Sequence, residues 1–521
     1  MLNFQPMPTR VGAQRAGCAF PPVAVRGVMV ITLMASLAAC SSVTPLPQDP
    51  AADLQLETLQ TENTNTTERL LHAPSDWWSS FDDAELERLI GLGLQNNYSL
   101  KAALANWQSS QAALQVARAD QSLTADASIS RSQQWQQSDN SGNWSLGVAA
   151  DYELDFWGRL DGLTRQSQLS ADASFAAART VANSVAAEIS LAWFGIRYQQ
   201  QMLGLIAQQR QRVESSLKII NARFQRGLVD VSDIWQQEQL LESLHSDQLT
   251  AEAELQLYQQ QLALWTATAG RQSLASGPDQ PGDNEPKVHE SEPKTGEIAG
   301  FPALSDIGQQ VSLDQLQQRP DVLQSWFELQ ASDAALAAAV ANRYPRLTLS
   351  AGLEGNGGSI AAALDNWAFN LAAGLVAPLI DGGSRKAQVE QQLSSREAAL
   401  ASYRQTLLTA AQEIQGLLVD QQRMQKQYES LQRQLDLARR THEYQQARYR
   451  RGVGDFLATL SANQDVLSLE QQQLTLRWQQ FNNRINLYRA VSHGRFDTGA
   501  ASSSSLTIST TSAGPAGSTA S

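Results

Sequence analysis

Two periodicities run along this chain, and each occurs twice. Trp144, Leu146, Val148, Ala150, Tyr152, Leu154 and Phe156 occupy every second position, with Ser145, Gly147, Ala149, Asp151, Glu153 and Asp155 between them. Trp367, Phe369, Leu371, Ala373, Leu375, Ala377 and Leu379 repeat the pattern, alternating with Ala368, Asn370, Ala372, Gly374, Val376 and Pro378. Side chains on a strand alternate faces, so both segments predict a long strand with one apolar and one polar or small face. Partner strands are expected over 127–137 and 347–354. The second periodicity is sevenfold. Leu393, Leu400, Leu407, Ile414, Tyr428 and Leu435 recur every seven residues with Gln421 in the gap, and Tyr403, Ala410, Leu417, Met424 and Leu431 form a companion row. This is an a/d coiled-coil seam. Arg159 to Gly227 and Ser384 to Gly452 each span 68 positions, a helical path of roughly 100 Å. Arginine followed by glycine ends both runs, a helix-stop signal. Asp230, Ser232 and Asp233 then offer N-caps for a returning helix.

The chain repeats itself. Asn221-Ala-Arg-Phe-Gln-Arg-Gly-Leu-Val-Asp230 matches Gln446-Ala-Arg-Tyr-Arg-Arg-Gly-Val-Gly-Asp455, and at the same offset Gly158 falls on Gly383. Upstream, 112–117 falls on 334–339. Each half therefore reads as a helical segment (83–120; 313–341), two strands, a long helix to an Arg-Gly tip and a helix back. The expected organisation is 76–271 as the first repeat, 272–300 as a polar linker, 301–496 as the second repeat and 497–521 as a Ser/Thr/Ala/Gly tail.

Composition changes the picture in three ways. Length alone, 521 residues, suggests about three domains. Yet no proline lies between Pro74 and Pro278 or between Pro378 and Pro515, as long uninterrupted helices require. Charged residues are 17% of the chain, against roughly 25% in soluble proteins, and there are 60 glutamines. The net charge of −13 argues against nucleic acid, which needs a basic face. Two cysteines exclude a disulfide scaffold. No apolar run beyond the N-terminus is long enough for a membrane-spanning helix.

A soluble sandwich would show more and shorter strands. The alternating strands instead fit a membrane barrel, lipid outside and water inside, with Trp144 and Trp367 placed for interfacial girdles. Four strands cannot close a barrel, and lipid tolerates no open edge. Several chains must share one. The expected fold is an α+β membrane protein, with four β-strands per chain in a shared barrel and long coiled-coil helices.

Arg10, Arg15 and Arg26 precede an apolar stretch over 28–39, the n- and h-regions of an export signal. Leu37-Ala-Ala-Cys40 resembles the lipobox of bacterial lipoproteins. That resemblance implies cleavage after residue 39, acylation of Cys40 as a membrane anchor and a lipidated linker over 40–75. Ser41 and Ser42 follow, with no aspartate to hold the chain at the inner membrane. Walker A, GxSxG, HExxH and CxxC signatures are absent. His72, His245, His289, His442 and His493 are scattered, read as surface residues, and none pairs at metal spacing. No catalytic activity and no cofactor beyond the lipid on Cys40 is expected.

Trp77-Trp-Ser-Ser-Phe-Asp-Asp83, Asn97-Tyr-Ser-Leu100, Tyr152-Glu-Leu-Asp-Phe-Trp-Gly-Arg159, Arg319-Pro-Asp-Val322, Pro378-Leu-Ile-Asp-Gly-Gly383 and the two Arg-Gly tips follow in this order. With them, the whole mature chain resembles the outer-membrane factor family of TolC- and OprM-like efflux channels, including NodT-type lipoproteins. The resemblance implies a homotrimer with a twelve-stranded outer-membrane barrel and a periplasmic helical tunnel. It implies a periplasmic adaptor docking on Arg226, Gly227, Leu228, Arg451, Gly452 and Val453, and an inner-membrane pump of RND, MFS or ABC type. It also implies a closed gate carried by Ser232, Asp233, Tyr449 and Arg477. The family's pore-narrowing acids fall here on Ala458 and Ser461, so Asp230, Asp233 or Asp455 must stand in. For each acid, helix capping is the competing role. The expected function is a passive gated duct for small toxic compounds and drugs. Type I protein secretion and a non-conducting periplasmic adaptor lipoprotein are the alternatives, the latter disfavoured by the lipid-type strands.

Overall fold

The computed structural model describes residues 76–136, 139–268, 301–302, 304 and 313–492. Cys40, the expected signal and lipidated linker, the polar linker over 272–300 and the tail over 497–521 lie outside the described residues.

After a 3-10 turn at Trp77–Phe81 come helices α1 (Ala84–Asn96) and α2 (Tyr98–Ala119), then strands β1 (Thr124–Gln136) and β2 (Asp139–Leu154). Helix α3 (Arg159–Phe224) descends from β2, and α4 (Val231–Trp265) returns. The second half runs α5 (Leu313–Gln317), α6 (Pro320–Ala341), β3 (Arg346–Gly357), a short helix α7 (Ile360–Asp365), β4 (Trp367–Val376), α8 (Ser384–Arg450) and α9 (Phe456–Val491). The strands form one antiparallel sheet in the order β1-β2-β3-β4, so the two halves join through the β2–β3 ladder, Trp144 opposite Gly357 through Leu154 opposite Leu347.

Strand passes to helix through the same device in both halves. Asp155 accepts the amides of Arg159 (2.7 Å) and Asp161 (2.8 Å), and Gly158 turns at φ +72°. Asp381 accepts the amides of Gly383 (2.9 Å) and Arg385 (3.2 Å), and Gly383 turns at φ +86°. Helices α3 and α8, 66 and 67 residues long, are each about 100 Å. Nearer the sheet, α3 packs against α2 and α6, and α8 against α6; towards the tips α3 packs on α4 and α8 on α9. On α8 the seam residues Leu407, Ile414 and Leu435 are buried, as are Tyr403, Ala410, Met424 and Leu431 from the companion row.

The expected helix over 83–120 is two helices. Asn97 breaks it by accepting the amides of Ser99 (2.9 Å) and Leu100 (3.1 Å), an N-cap inside what periodicity reads as one run. Its Nδ2 donates to the Trp265 carbonyl (3.0 Å), so α4 and α2 meet end to end along α3. Halfway along α3, Trp77, Phe81, Phe194, Phe301, Phe481 and Tyr488 form an aromatic cluster. Trp77 Nε1 donates to Asn183 (3.0 Å), and Asp83 caps α1 while pairing with Arg197 (3.0 Å). The Trp77–Asp83 motif is therefore a fastening of the N-terminal segment to the long helices.

Candidate functional site

Directly opposed residues on antiparallel strands share a face. The ladders therefore place Leu146, Val148, Ala150, Tyr152 and Leu154 on one face with Ile129, Leu349, Leu353, Phe369 and Leu371. Most of these are exposed. The opposite face is polar or small and is tied across strands. Ser145 donates to Asn356 and Ser350 to Asp151, each at 2.6 Å. From Trp144 to Leu154 the apolar face advances ten residues, about 33 Å along the strand. At a tilt of roughly 40° this projects to about 25 Å, the height of an outer-membrane apolar band. The lower edge carries Trp157, stacked on Tyr344 (4.8 Å) and donating to the Pro345 carbonyl (2.8 Å). Among the described residues no helix is long and apolar enough to cross a membrane.

At the far end each long helix stops in the same Schellman turn. Gly227 N–H donates to the Phe224 carbonyl (2.8 Å) and Leu228 N–H to Arg223 (3.1 Å). Gly452 N–H donates to Tyr449 (3.0 Å) and Val453 N–H to Arg448 (3.1 Å). The glycines sit at φ +69° and +77°, the left-handed region that a Cβ disfavours. Leu228 and Val453, 67% and 66% exposed, project from the tips, and Arg226 and Arg451 are exposed beside them. Behind the tips Val213, Ile220, Ile234, Phe456 and Leu460 tie α3, α4 and α9 together.

Of the four residues expected at a gate, Ser232, Asp233 and Tyr449 stand at this end. Asp230 and Asp455 cap α4 and α9 through the amides of Ser232 (3.0 Å) and Leu457 (3.3 Å). Burial, and then the charges of Asp230 and Asp455, push the Asp233 carboxyl above its ordinary value. Arg477 does not join them within the chain. It lies 21 positions beyond Phe456 on one continuous helix, about 30 Å away. There it contacts Gln480 and the Pro302 carbonyl and lies over the rings of Tyr428 and Phe481. The cation that meets Tyr449 at the tip is Arg223, 4.3 Å over its ring and 3.4 Å from its carbonyl. Both Arg-Gly motifs contain this arginine, but the sequence carried no signal that it crosses to the other repeat. The Tyr449 hydroxyl is buried without a hydrogen-bond partner among the described residues.

The sequence reading missed one further group and misplaced another. Buried Glu470 on α9 accepts from Arg212 (2.5 Å) and Gln209 (3.2 Å) of α3 and from Arg439 (3.1 Å) of α8. Burial pushes its carboxyl up, but these hydrogen bonds outweigh it and hold the group below its usual range. His245 is exposed as expected, whereas His442 is half-buried. Burial first, then Arg212 and Arg450, holds its imidazole below the ordinary value against an opposing bond to the Thr459 backbone.

A sheet with one lipid-type face thus stands at one end of the long helices and twin glycine-ended hairpins at the other. The model of the family described as "Outer membrane efflux protein" matches residues 89–270 and again 312–493. The chain belongs to the outer membrane efflux protein family. Its double match coincides with the two halves of the fold. Among curated relatives, the pyoverdine export outer membrane protein OpmQ of Pseudomonas aeruginosa is 26% identical over 91% of this chain and 98% of its own length. The probable outer membrane lipoprotein SilC of Salmonella typhimurium is 24% identical over 90% and 98%. The solved outer-membrane channel OprN superposes with a TM-score of 0.74 at 22% identity, covering 85% of this chain and 98% of that one. The chain is accordingly an outer-membrane channel component of an efflux system, and its sheet is the part that lies in the outer membrane.

Proposed function

We propose that three copies of this chain close one twelve-stranded barrel over a helical tunnel. Small toxic compounds and drugs, passed on by an inner-membrane pump of RND, MFS or ABC type and a periplasmic adaptor, leave through this passive duct. The observation that carries the reading is the four-stranded sheet with opposed apolar and polar faces and no further strand paired to β1 or β4 among the described residues. An open edge is not tolerated in lipid. Two chains would give eight strands, whose interior side chains fill; three leave a passage. OpmQ, by its name, exports a small molecule, which favours that cargo class. SilC, by its name a lipoprotein, supports acylation of Cys40.

Arg226, Gly227 and Leu228, with Arg451, Gly452 and Val453, offer an adaptor two exposed apolar knobs beside arginines. The gate consists of Ser232, Asp233 and Tyr449 with Arg223, and Asp230 and Asp455 add to the ring of acids. Arg477 braces the helices higher up. Adaptor and pump favour the open state by binding it more tightly than the closed one. Single-channel conductance in planar bilayers tests this. Asp233→Ala and Arg223→Ala should raise the open probability, and Arg477→Ala should leave it near wild type. Unchanged gating in the first two removes the assignment. Cys40→Ala should abolish acyl labelling in cells, and persistent label overturns the anchor.

A further inference from the structure

Helix α7 has no counterpart in the first repeat, where only residues 137–138 separate β1 from β2. We propose that α7 is an interfacial helix, lying on the outside of the barrel with Ile360 and Leu364 seated among the lipid acyl chains just beneath the outer-leaflet headgroups.

The ladder decides which side of the sheet it occupies. Gly355 is opposite Trp367 and Leu146, and Gly357 is opposite Trp144. These glycines therefore face outward with the apolar row. A Cβ on Gly355 would overlap the Ala363 carbonyl oxygen, and one on Gly357 would come within 2.6 Å of the Ala363 amide nitrogen. The backbone of α7 thus rests directly on the outer face of β3, and glycine at these two positions makes the approach possible. Ala363, 1% exposed, is the residue pressed against the strand.

The helix is closed at both ends, as contact with lipid demands. Ser359 Oγ accepts the Ala362 amide (3.2 Å). Asn366 N–H donates to the Ala362 carbonyl (3.1 Å), and its Nδ2 to the Asn356 carbonyl (3.2 Å). With these caps in place, Ile360 and Leu364, one turn apart and so on one side of the helix, are left 43% and 63% exposed.

Continuity with the apolar band identifies what covers them. Leu353 and Phe369 continue the band immediately below α7, and Trp367 lies beside it, all three exposed. Trp144 marks the same height on β2. Its neighbour on the outward face of β1 is Arg131, with the guanidinium 5.4 Å over the indole, and Gln133 lies beyond it. The outward face changes from apolar to polar at this height, so α7 occupies the last apolar layer before the headgroups, where amphipathic helices and tryptophans settle.

The test is depth measurement on the full-length assembly in phosphatidylcholine vesicles. A nitroxide is attached at Leu364→Cys, with unsubstituted protein treated identically as the blank and Asn370→Cys on the inward face as the water-exposed control. Relaxation by oxygen, which partitions into lipid, and by a water-soluble nickel chelate reports the surroundings. The expected result at position 364 is oxygen accessibility at least several-fold above the nickel value, with the ratio reversed at 370. Nickel accessibility at 364 equal to that at 370 places α7 in water and overturns the proposal. Protection from both reagents means that a neighbouring chain covers the helix, and overturns it equally.

Discussion

The tip glycines give a prediction whose size follows from the structure. Gly452 turns at φ +77°, and a Cβ added there meets nothing within 4 Å. Gly452→Ala therefore costs backbone strain alone. The left-handed conformation is disfavoured by about 1–2 kcal/mol for a residue with a Cβ, and alanine recovers about 0.4–1 kcal/mol by restricting the opened chain. The net is about 1 kcal/mol, or roughly fivefold in the population of the opened tip. The assay is hydrogen exchange on the full-length protein, followed at the Val453 amide that closes the turn onto Arg448. Gly452→Asn carries the same Cβ but enters the left-handed region more readily, so its exchange should fall between wild type and alanine. Gly454→Ala should be worse than either, because its Cβ would lie 2.7 Å from the Tyr449 backbone nitrogen. Wild-type exchange in Gly452→Ala would show that the left-handed turn is not what holds the tip closed.

Other consequences are open to direct measurement. Leu371 lies mid-strand on the outward face, opposite Ala351. Leu371→Arg should cost about 2–4 kcal/mol at the bilayer midplane in denaturant titration of the reconstituted protein, and Ala372→Arg on the inward face far less; equal costs would reverse the face assignment. The raised Asp233 value means the folded tip binds more protons than the opened chain between the ordinary and raised values, so the tip loses stability as pH rises through that window. Asp233→Asn should abolish this dependence in a pH series of tip exchange, and an unaltered profile would refute the three-acid account. Glu470 has the opposite sign: its contribution is present above the ordinary carboxylate value and is lost as pH falls through the lowered one. Glu470→Gln should cost about 1–2 kcal/mol, towards the low end for charge-assisted bonds because Arg212 and Arg439 are half-exposed and can turn to water. A double-mutant cycle with Arg439→Gln that shows no coupling would exclude the clamp.

Much of the architecture was legible because it rests on local periodicity. Period two marked β2 and β4, their partners β1 and β3 fell where neighbouring strands were expected, and the runs between the strand-end glycines and the Arg-Gly stops gave α3 and α8 to within a few residues. The Arg-Gly repeat marked both tips and the duplication. Counting from those glycines correctly reached the tip for Ser232, Asp233 and Tyr449, three to six residues away, because a turn fixes its immediate neighbours. For Arg477, 25 residues from Gly452, the helix carries the side chain up the tunnel wall to the aromatic cluster instead. Asn97 was missed as a break because a single capping side chain overrides a run whose apolar spacing stays helical on both sides.

The sequence by itself determined where the four strands and the two long helices lie, where each long helix stops and that the chain is built twice, since each of these depends on residues a few positions apart. Only the tertiary structure decided which residues meet across long stretches of chain. Arg223 lies on Tyr449 of the other repeat, Glu470 gathers Gln209, Arg212 and Arg439, and Asn97 meets the end of α4. It also placed α7 on the outer face of β3, because a glycine pair in a strand specifies room for a close neighbour and the ladder register alone fixes the side from which that neighbour comes.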